Sequence, residues 1–207
     1  SAGRYMEYRE LMTAMINNWR SVWGQGDFPF LYVQLASYMK EQTDPVETNS
    51  VWAGLRDSQT KTLSVTNTAM AVITDAGDAN DIHPRDKKTV GERLALAARA
   101  KAYGQKTVYS GPVFESVEIK DGKAIVRFGS IGSGLMAKGD KLTGFAIAGE
   151  DKQWRWADAQ ISGDTVIVSS PDVKAPAAVR YNWANNPLGN LFNKEGLPAS
   201  LFRTDNW

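Results

Sequence analysis

Cysteine is absent from the 207 residues. Disulfides, thiolate metal sites, iron–sulfur clusters and a cysteine nucleophile are therefore excluded. There is one histidine, so a zinc site would need mostly carboxylates, an uncommon ligand set, and no metal is expected. Charge of one sign is also missing: Lys plus Arg is 24 and Asp plus Glu is 23. That balance argues against a nucleic-acid or acidic-membrane partner, which calls for a basic surplus. No apolar run approaches the roughly 18 to 20 residues of a membrane-spanning helix. Residues Ser1 to Tyr8 lack the basic, apolar and small-residue succession of a secretory leader, and with no initiating methionine the chain reads as a mature product or a processed piece. The remainder is ordinary for a globular protein, with 43% hydrophobic and 23% charged residues and room for one large or two small domains.

The first hundred or so residues alternate helical and strand patterns. Tyr5, Tyr8, Leu11, Met12, Met15, Ile16 and Trp19 recur at spacings of three and four, the apolar stripe of an amphipathic helix. Phe28 to Ala36 (FPFLYVQLA) is an apolar run of strand length, with Pro29 at its start, where a missing amide does little harm. Val51, Trp52, Leu55 and Leu63 mark a second helix, Ala69 to Thr74 a second buried strand, and Asp86 opens a third helix stopped by Gly104. Strand, helix, strand, helix predicts a parallel sheet with crossovers, whose polar loops at the strand C-termini are where open α/β sheets place their sites.

From about Tyr109 the period changes to two. Val113, Glu115, Val117 and Ile119 alternate with Phe114, Ser116, Glu118 and Lys120, and Asp121-Gly122 is a hairpin signal. Ala177, Val179, Tyr181 and Trp183 alternate again, while Asn182 to Trp207 is expected to pack as irregular chain. Two regions follow: 1–108, an α/β part, and 109–207, an antiparallel β-rich module with an irregular tail.

The chemistry concentrates in Thr74-Asp75-Ala76-Gly77-Asp78-Ala79-Asn80-Asp81-Ile82-His83-Pro84, the loop after the second strand. A histidine acting as base toward a serine hydroxyl needs a carboxylate on its other nitrogen, to fix the tautomer and stabilise the imidazolium. Asp81 stands two residues before His83, Asp78 is the next candidate and Asp75 the third. Spacing alone more often marks a polar turn than a catalytic pair, and Asp86 has the plainer role of helix N-cap.

Asp81-Ile82-His83-Pro84-Arg85-Asp86-Lys87-Lys88 with Val90-Gly91-Glu92-Arg93-Leu94-Ala95-Leu96 resembles the last catalytic block of the sialate O-acetylesterase family, within the SGNH (GDSL-like) hydrolase superfamily that includes related acetylxylan esterases. Trp23-Gly24-Gln25-Gly26-Asp27-Phe28-Pro29-Phe30, Val33-Gln34-Leu35-Ala36, the Trp52, Leu55-Arg56 and Gln59 pattern, Tyr109-Ser110-Gly111-Pro112, Gly144 to Gly149 and Val179 to Trp183 resemble other parts of that family. The resemblance implies a partial SGNH-type, flavodoxin-like parallel sheet and a serine esterase that releases acetate from acetylated sugars without a cofactor. It makes His83 the catalytic base and later acid. The superfamily places its aspartate three residues before the histidine, where this chain has Asn80; Asp81 is preferred as the third member, Asp78 second.

The family's serine and its oxyanion-hole glycine and asparagine lie in blocks upstream of the residues matched here. This chain is accordingly expected to supply the His/Asp part of the triad and to be inactive alone. The expected partners are an acetylated carbohydrate and either the N-terminal part of the same esterase or a second copy bound through an exposed sheet edge. The family alone suggests an extracytoplasmic location. The rival expectations are a non-catalytic carbohydrate-binding module and a structural fragment. Gln34, Arg56 and Gln59 are expected to line the substrate pocket or hold the catalytic loop; Arg85 is expected to cover the acidic loop. Trp19 and Trp52 are expected in the core, and Trp154, Trp156 and Trp183 are the candidates for sugar contact.

Overall fold

The spacing that predicts the first helix is realised as α1, Tyr5–Trp23, closed by Gly24 at φ +63°, whose amide donates to the Arg20 carbonyl. A computed structural model describes residues 1–207. Only part of the apolar stripe is covered. Met12 and Ile16 pack on Tyr32, Met70 and Val72, whereas Met6, Leu11, Val22 and Trp23 are exposed. Trp19, expected in the core, is 41% exposed. It stacks on Trp23 at 6.0 Å and leans on Phe30 at 5.9 Å, so this aromatic patch packs on itself at the surface.

Strand β1, Phe30–Val33, pairs in parallel with β2, Thr68–Ala71, in the register Phe30 to Thr68 and Val33 to Ala71. Helix α2, Val51–Lys61, makes the crossover between them, and Ser50 caps it by accepting from the Ala53 amide at 3.0 Å. Helix α3, Lys87–Lys101, follows β2. Its cap, Asp86, accepts from the Thr89 hydroxyl at 2.6 Å and the Thr89 amide at 3.0 Å, and these bonds hold the Asp86 carboxyl below its usual range.

The second half is antiparallel. Strands β3 (Val113–Lys120), β4 (Lys123–Gly129), β8 (Asp158–Ser162) and β9 (Thr165–Ser169) form one sheet in the order β3-β4-β9-β8. The β3–β4 turn has Asp121 at φ +49° and Gly122 at φ +71°, the two left-handed residues of a type I′ turn, which suits the strand twist. A second sheet runs β12-β10-β6-β7, with β6 at Phe145–Ala148, β7 at Arg155–Trp156, β10 at Ala178–Tyr181 and β12 at Phe202–Arg203. Strand β5, Leu135–Ala137, pairs with β11, Leu191–Asn193. Together these strands wrap a core built on Phe128, Phe145, Ile147, Val168, Tyr181 and Phe202.

One expectation is corrected in this half. The tail after Asn182 is not irregular throughout: β11 and β12 lie in it, and Leu191, Leu197, Leu201 and Phe202 are buried. Strands of two and three residues are too short to display a period of two among Asn, Pro and Gly. All four residues of β10 are buried. Arg180 is one of them.

Burial of Arg180 is offset by Asp205, whose side chain is 0% exposed. Arg180 Nε and Nη2 donate to its two oxygens at 2.9 and 2.6 Å, and Arg203 Nη2 donates to it at 2.5 Å. Burial opposes ionisation of Asp205, but the hydrogen bonds and charges of the two arginines win and hold its carboxyl below the ordinary value. The stability supplied by this pairing is therefore present above the ordinary carboxylate value of 3.8 and is lost as pH falls through the lowered folded value. Asp205→Asn is expected to cost about 3 kcal/mol near neutral pH by leaving Arg180 buried without its counter-charge. Denaturant melts should show the gap from the parent narrowing below the folded value; an equal gap at neutral and acid pH would refute the coupling.

Helix α3 ends at Lys101 and β3 begins at Val113. The two regions share a core of Val46, Ala53, Ala146, Trp183 and Leu201.

Candidate active site

Strand β2 delivers the chain into the loop that carries His83, and the loop's first acid is already committed. Arg93, on the buried side of α3, donates from Nη1 to the Val72 carbonyl at 2.7 Å and grips Asp75 through both terminal nitrogens at 2.5 and 2.7 Å. Asp75, the third-ranked triad acid, thus anchors the loop to α3. A charge on a helix face that otherwise buries Ala97 was the available signal for Arg93, and sequence reasoning passed over it. Farther along, Gly77 lies so close to Ser37 that a Cβ would fall 2.2 Å from the Ser37 carbonyl oxygen. The Met39 amide donates to the Ala79 carbonyl at 3.1 Å. The histidine loop thereby rests on the segment that leaves β1.

Asp78 accepts from the Asn80 amide at 2.9 Å, and Asp81 accepts from the His83 amide at 2.9 Å. Each is an aspartate turn closed two residues on. The second brings Asp81 Oδ1 to 3.6 Å from His83 Nδ1. This is slightly long for a hydrogen bond, as pairs in unliganded sites often are. The His83 side chain is 86% exposed, so its Nε2 is open to any group brought to this surface. Asp81 thus lies beside the His83 ring, whereas the one hydrogen bond of Asp78 is to the Asn80 amide.

Gln34, Arg56 and Gln59 gather elsewhere, around the end of β1, and all three are buried. Arg56 is 0% exposed and donates to four carbonyls: Leu35 at 2.8 Å, Ala36 at 2.7 Å, Ala184 at 2.8 Å and Asn185 at 2.8 Å. Burial lowers its guanidinium to about 9, with the charge of Glu47 acting the other way. Gln59 accepts from the Leu35 amide at 2.9 Å, and Gln34 donates to the Thr60 hydroxyl at 3.0 Å. Their polar groups thus serve the segment on which the histidine loop rests and do not face solvent. Arg85, expected to cover the acidic loop, is exposed and makes no ion pair.

The tryptophans divide differently from expectation. Trp52 is half-buried and donates to the Ala36 carbonyl at 3.1 Å. Trp183 is buried against the guanidiniums of Arg180, 4.7 Å from its ring, and Arg203, 5.0 Å from it, so it is not free for a sugar. Trp154 packs on Trp207 at 5.3 Å. Trp156 is 41% exposed.

No family model matches the chain. It is 32% identical over 201 residues to the sialate O-acetylesterase of Mus musculus, an alignment covering 86% of this chain and 37% of that protein. The chain belongs to the sialate O-acetylesterase family. The Homo sapiens member is 30% identical over 200 residues, with 87% of this chain and 38% of that protein covered. A crystal structure of a carbohydrate acetylesterase from Xanthomonas citri matches with a TM-score of 0.91 at 49% identity, covering 97% of this chain and 46% of the other. The fold is thus the family's mixed α/β arrangement, a small parallel sheet followed by antiparallel ones. The chain spans less than half the length of these relatives.

Proposed function

We propose that this chain is the histidine-bearing part of a carbohydrate O-acetylesterase. The observation that carries the proposal is His83, solvent-open beside Asp81 in the loop that follows a parallel strand, in a chain of this family. With Nδ1 turned to Asp81, Nε2 takes the proton of a serine hydroxyl supplied by residues outside these 207. The serine oxygen attacks the acetyl carbonyl, and the tetrahedral adduct collapses to an acetyl-serine. His83 returns the proton to the departing sugar oxygen. The imidazole then deprotonates water, which attacks the acetyl group; acetate leaves and the proton goes back to serine. Asp81 steadies the imidazolium in both halves. No cofactor is needed. Gln34, Arg56 and Gln59 act at one remove, by holding the floor under the histidine loop.

A seat for the serine-bearing part is supported by two features. The parallel sheet has only β1 and β2, so each keeps an unpaired edge. The exposed apolar residues of α1, with Trp19 and Trp23 among them, form a patch beside it. The N-terminal part of the esterase or a second copy would cover them. No helix is long and apolar enough to cross a membrane, and the extracytoplasmic setting rests on the family alone.

Hydrolysis of p-nitrophenyl acetate tests this reading. The chain alone should turn over at the background rate. Fused to the part of the Xanthomonas citri acetylesterase that it does not cover, it should gain at least about 10³-fold. Full activity from the chain alone would overturn the division of labour.

A further inference from the structure

The loop that carries Asp81 and His83 is held lightly. From Gly77 to Pro84 the one buried residue is Pro84. Asp78 and Asp81 each close a turn within this stretch by accepting from the Asn80 and His83 amides. A single hydrogen bond ties the stretch to another part of the chain: the Met39 amide donates to the Ala79 carbonyl at 3.1 Å. Ala79 stands between the two turns, just ahead of Asn80 and Asp81.

Met39 is an unusual residue to make that bond. Its φ is +74°, in the left-handed region that a bulky side chain seldom enters. Such a backbone persists only where its surroundings hold it, and here the β-rich half does so. The Met39 carbonyl accepts from Asn186 Nδ2 at 2.9 Å, across 147 residues of chain. To either side, the Tyr38 amide donates to the Asn185 carbonyl at 3.4 Å and the Gln42 amide to the Asn186 carbonyl at 3.0 Å. Met39 is thus bonded on both sides, by its carbonyl to the β-rich half and by its amide to the histidine loop. Lys138, also of the β-rich half, comes within 4.0 Å of Asp75 where that loop begins.

We propose that Asn186 is a positioning residue for His83. Through the left-handed Met39 it fixes Ala79, and with Ala79 the turn that sets Asp81 beside the imidazole. The β-rich half then tunes the catalytic geometry while giving no group to the triad. The effect on rate rests on the esterase reading above. The effect on the order of the loop does not.

Asn186→Asp and Asn186→Leu test this. Both are close to asparagine in size and neither can donate to the Met39 carbonyl near neutral pH; agreement between them separates the lost donor from the added charge. Asn186 is half-buried, so both variants should fold. In the 207-residue chain, exchange of the Met39 amide measured by NMR should quicken by about tenfold. Backbone order parameters over residues 79–83 should fall from the rigid range of about 0.85 toward the flexible range below about 0.6. The urea midpoint should stay at the parent's. In the fused esterase, kcat for p-nitrophenyl acetate should drop by about tenfold or more with KM within about twofold, since a misplacement of about 1 Å is enough for such a loss. Parental Met39 exchange and loop order in both variants would overturn the proposal. So would a parental kcat in a fused enzyme whose loop has loosened, or a urea midpoint that falls in step with kcat. A loop that loosens as expected, with the unsubstituted fusion inactive, would strike only the esterase reading.

Discussion

His83→Ala in the fused esterase is expected to lower kcat for p-nitrophenyl acetate by about 10⁵-fold or more. Removing the imidazole removes both proton transfers, since the same nitrogen takes the serine proton and returns it to the leaving oxygen. The surface position makes this a clean experiment. The side chain is 86% exposed and neither ring nitrogen hydrogen-bonds within the chain, so truncation should leave stability unchanged. Asp81→Asn is expected to cost about 10⁴-fold, because an amide can fix the ring only in the wrong tautomer. Asp78→Asn should leave the rate near the parent's, as its carboxylate reaches only the Asn80 amide. If Asp78→Asn proves the more damaging, the loop must rearrange on meeting the serine-bearing part. A His83→Ala enzyme with parental kcat would remove the imidazole from the mechanism.

Arg56→Leu is expected to be the most destabilising single change in the chain. It would leave the carbonyls of Leu35, Ala36, Ala184 and Asn185 without the donor that now serves all four. Each buried carbonyl left unpaired costs about 1–3 kcal/mol. Partial relaxation and water entry reduce the sum, and a total of about 4 kcal/mol or more is expected, a large share of the whole stability of a domain. Arg56→Lys should restore little, because an ammonium has three donors on one point and cannot span two chain segments. Urea unfolding measures both variants. Loss of less than about 1 kcal/mol in Arg56→Leu would mean that water replaces the guanidinium without penalty. In the fusion, Arg56→Lys should also loosen the loop beneath His83, lowering kcat more than KM changes.

These two residues mark how far the sequence could be read. The alternation of helix and strand up to Lys101, the Asp86 cap, the Asp121-Gly122 hairpin and the loop carrying His83 all follow from local rules: periodicity, capping and turn chemistry act within a few residues. The family motifs added a role for His83 and a short list of acids. The work of Arg56 is not legible in the sequence. Two of its four partners lie 128 and 129 residues away, and nothing in the local pattern marks a carbonyl as a partner.

The same separation governs what the tertiary structure alone decided. Sequence by itself determined the α/β half, the β-rich half and the single imidazole in the loop after a strand, because backbone hydrogen bonding and hydrophobic periodicity are short-range. Folding decided that Asp75 belongs to Arg93, that Trp183 is buried against two guanidiniums, and that the tail after Asn182 supplies core strands. Those choices depend on which distant groups are desolvated together. A charge removed from water must find its partner in space, whatever the distance along the chain.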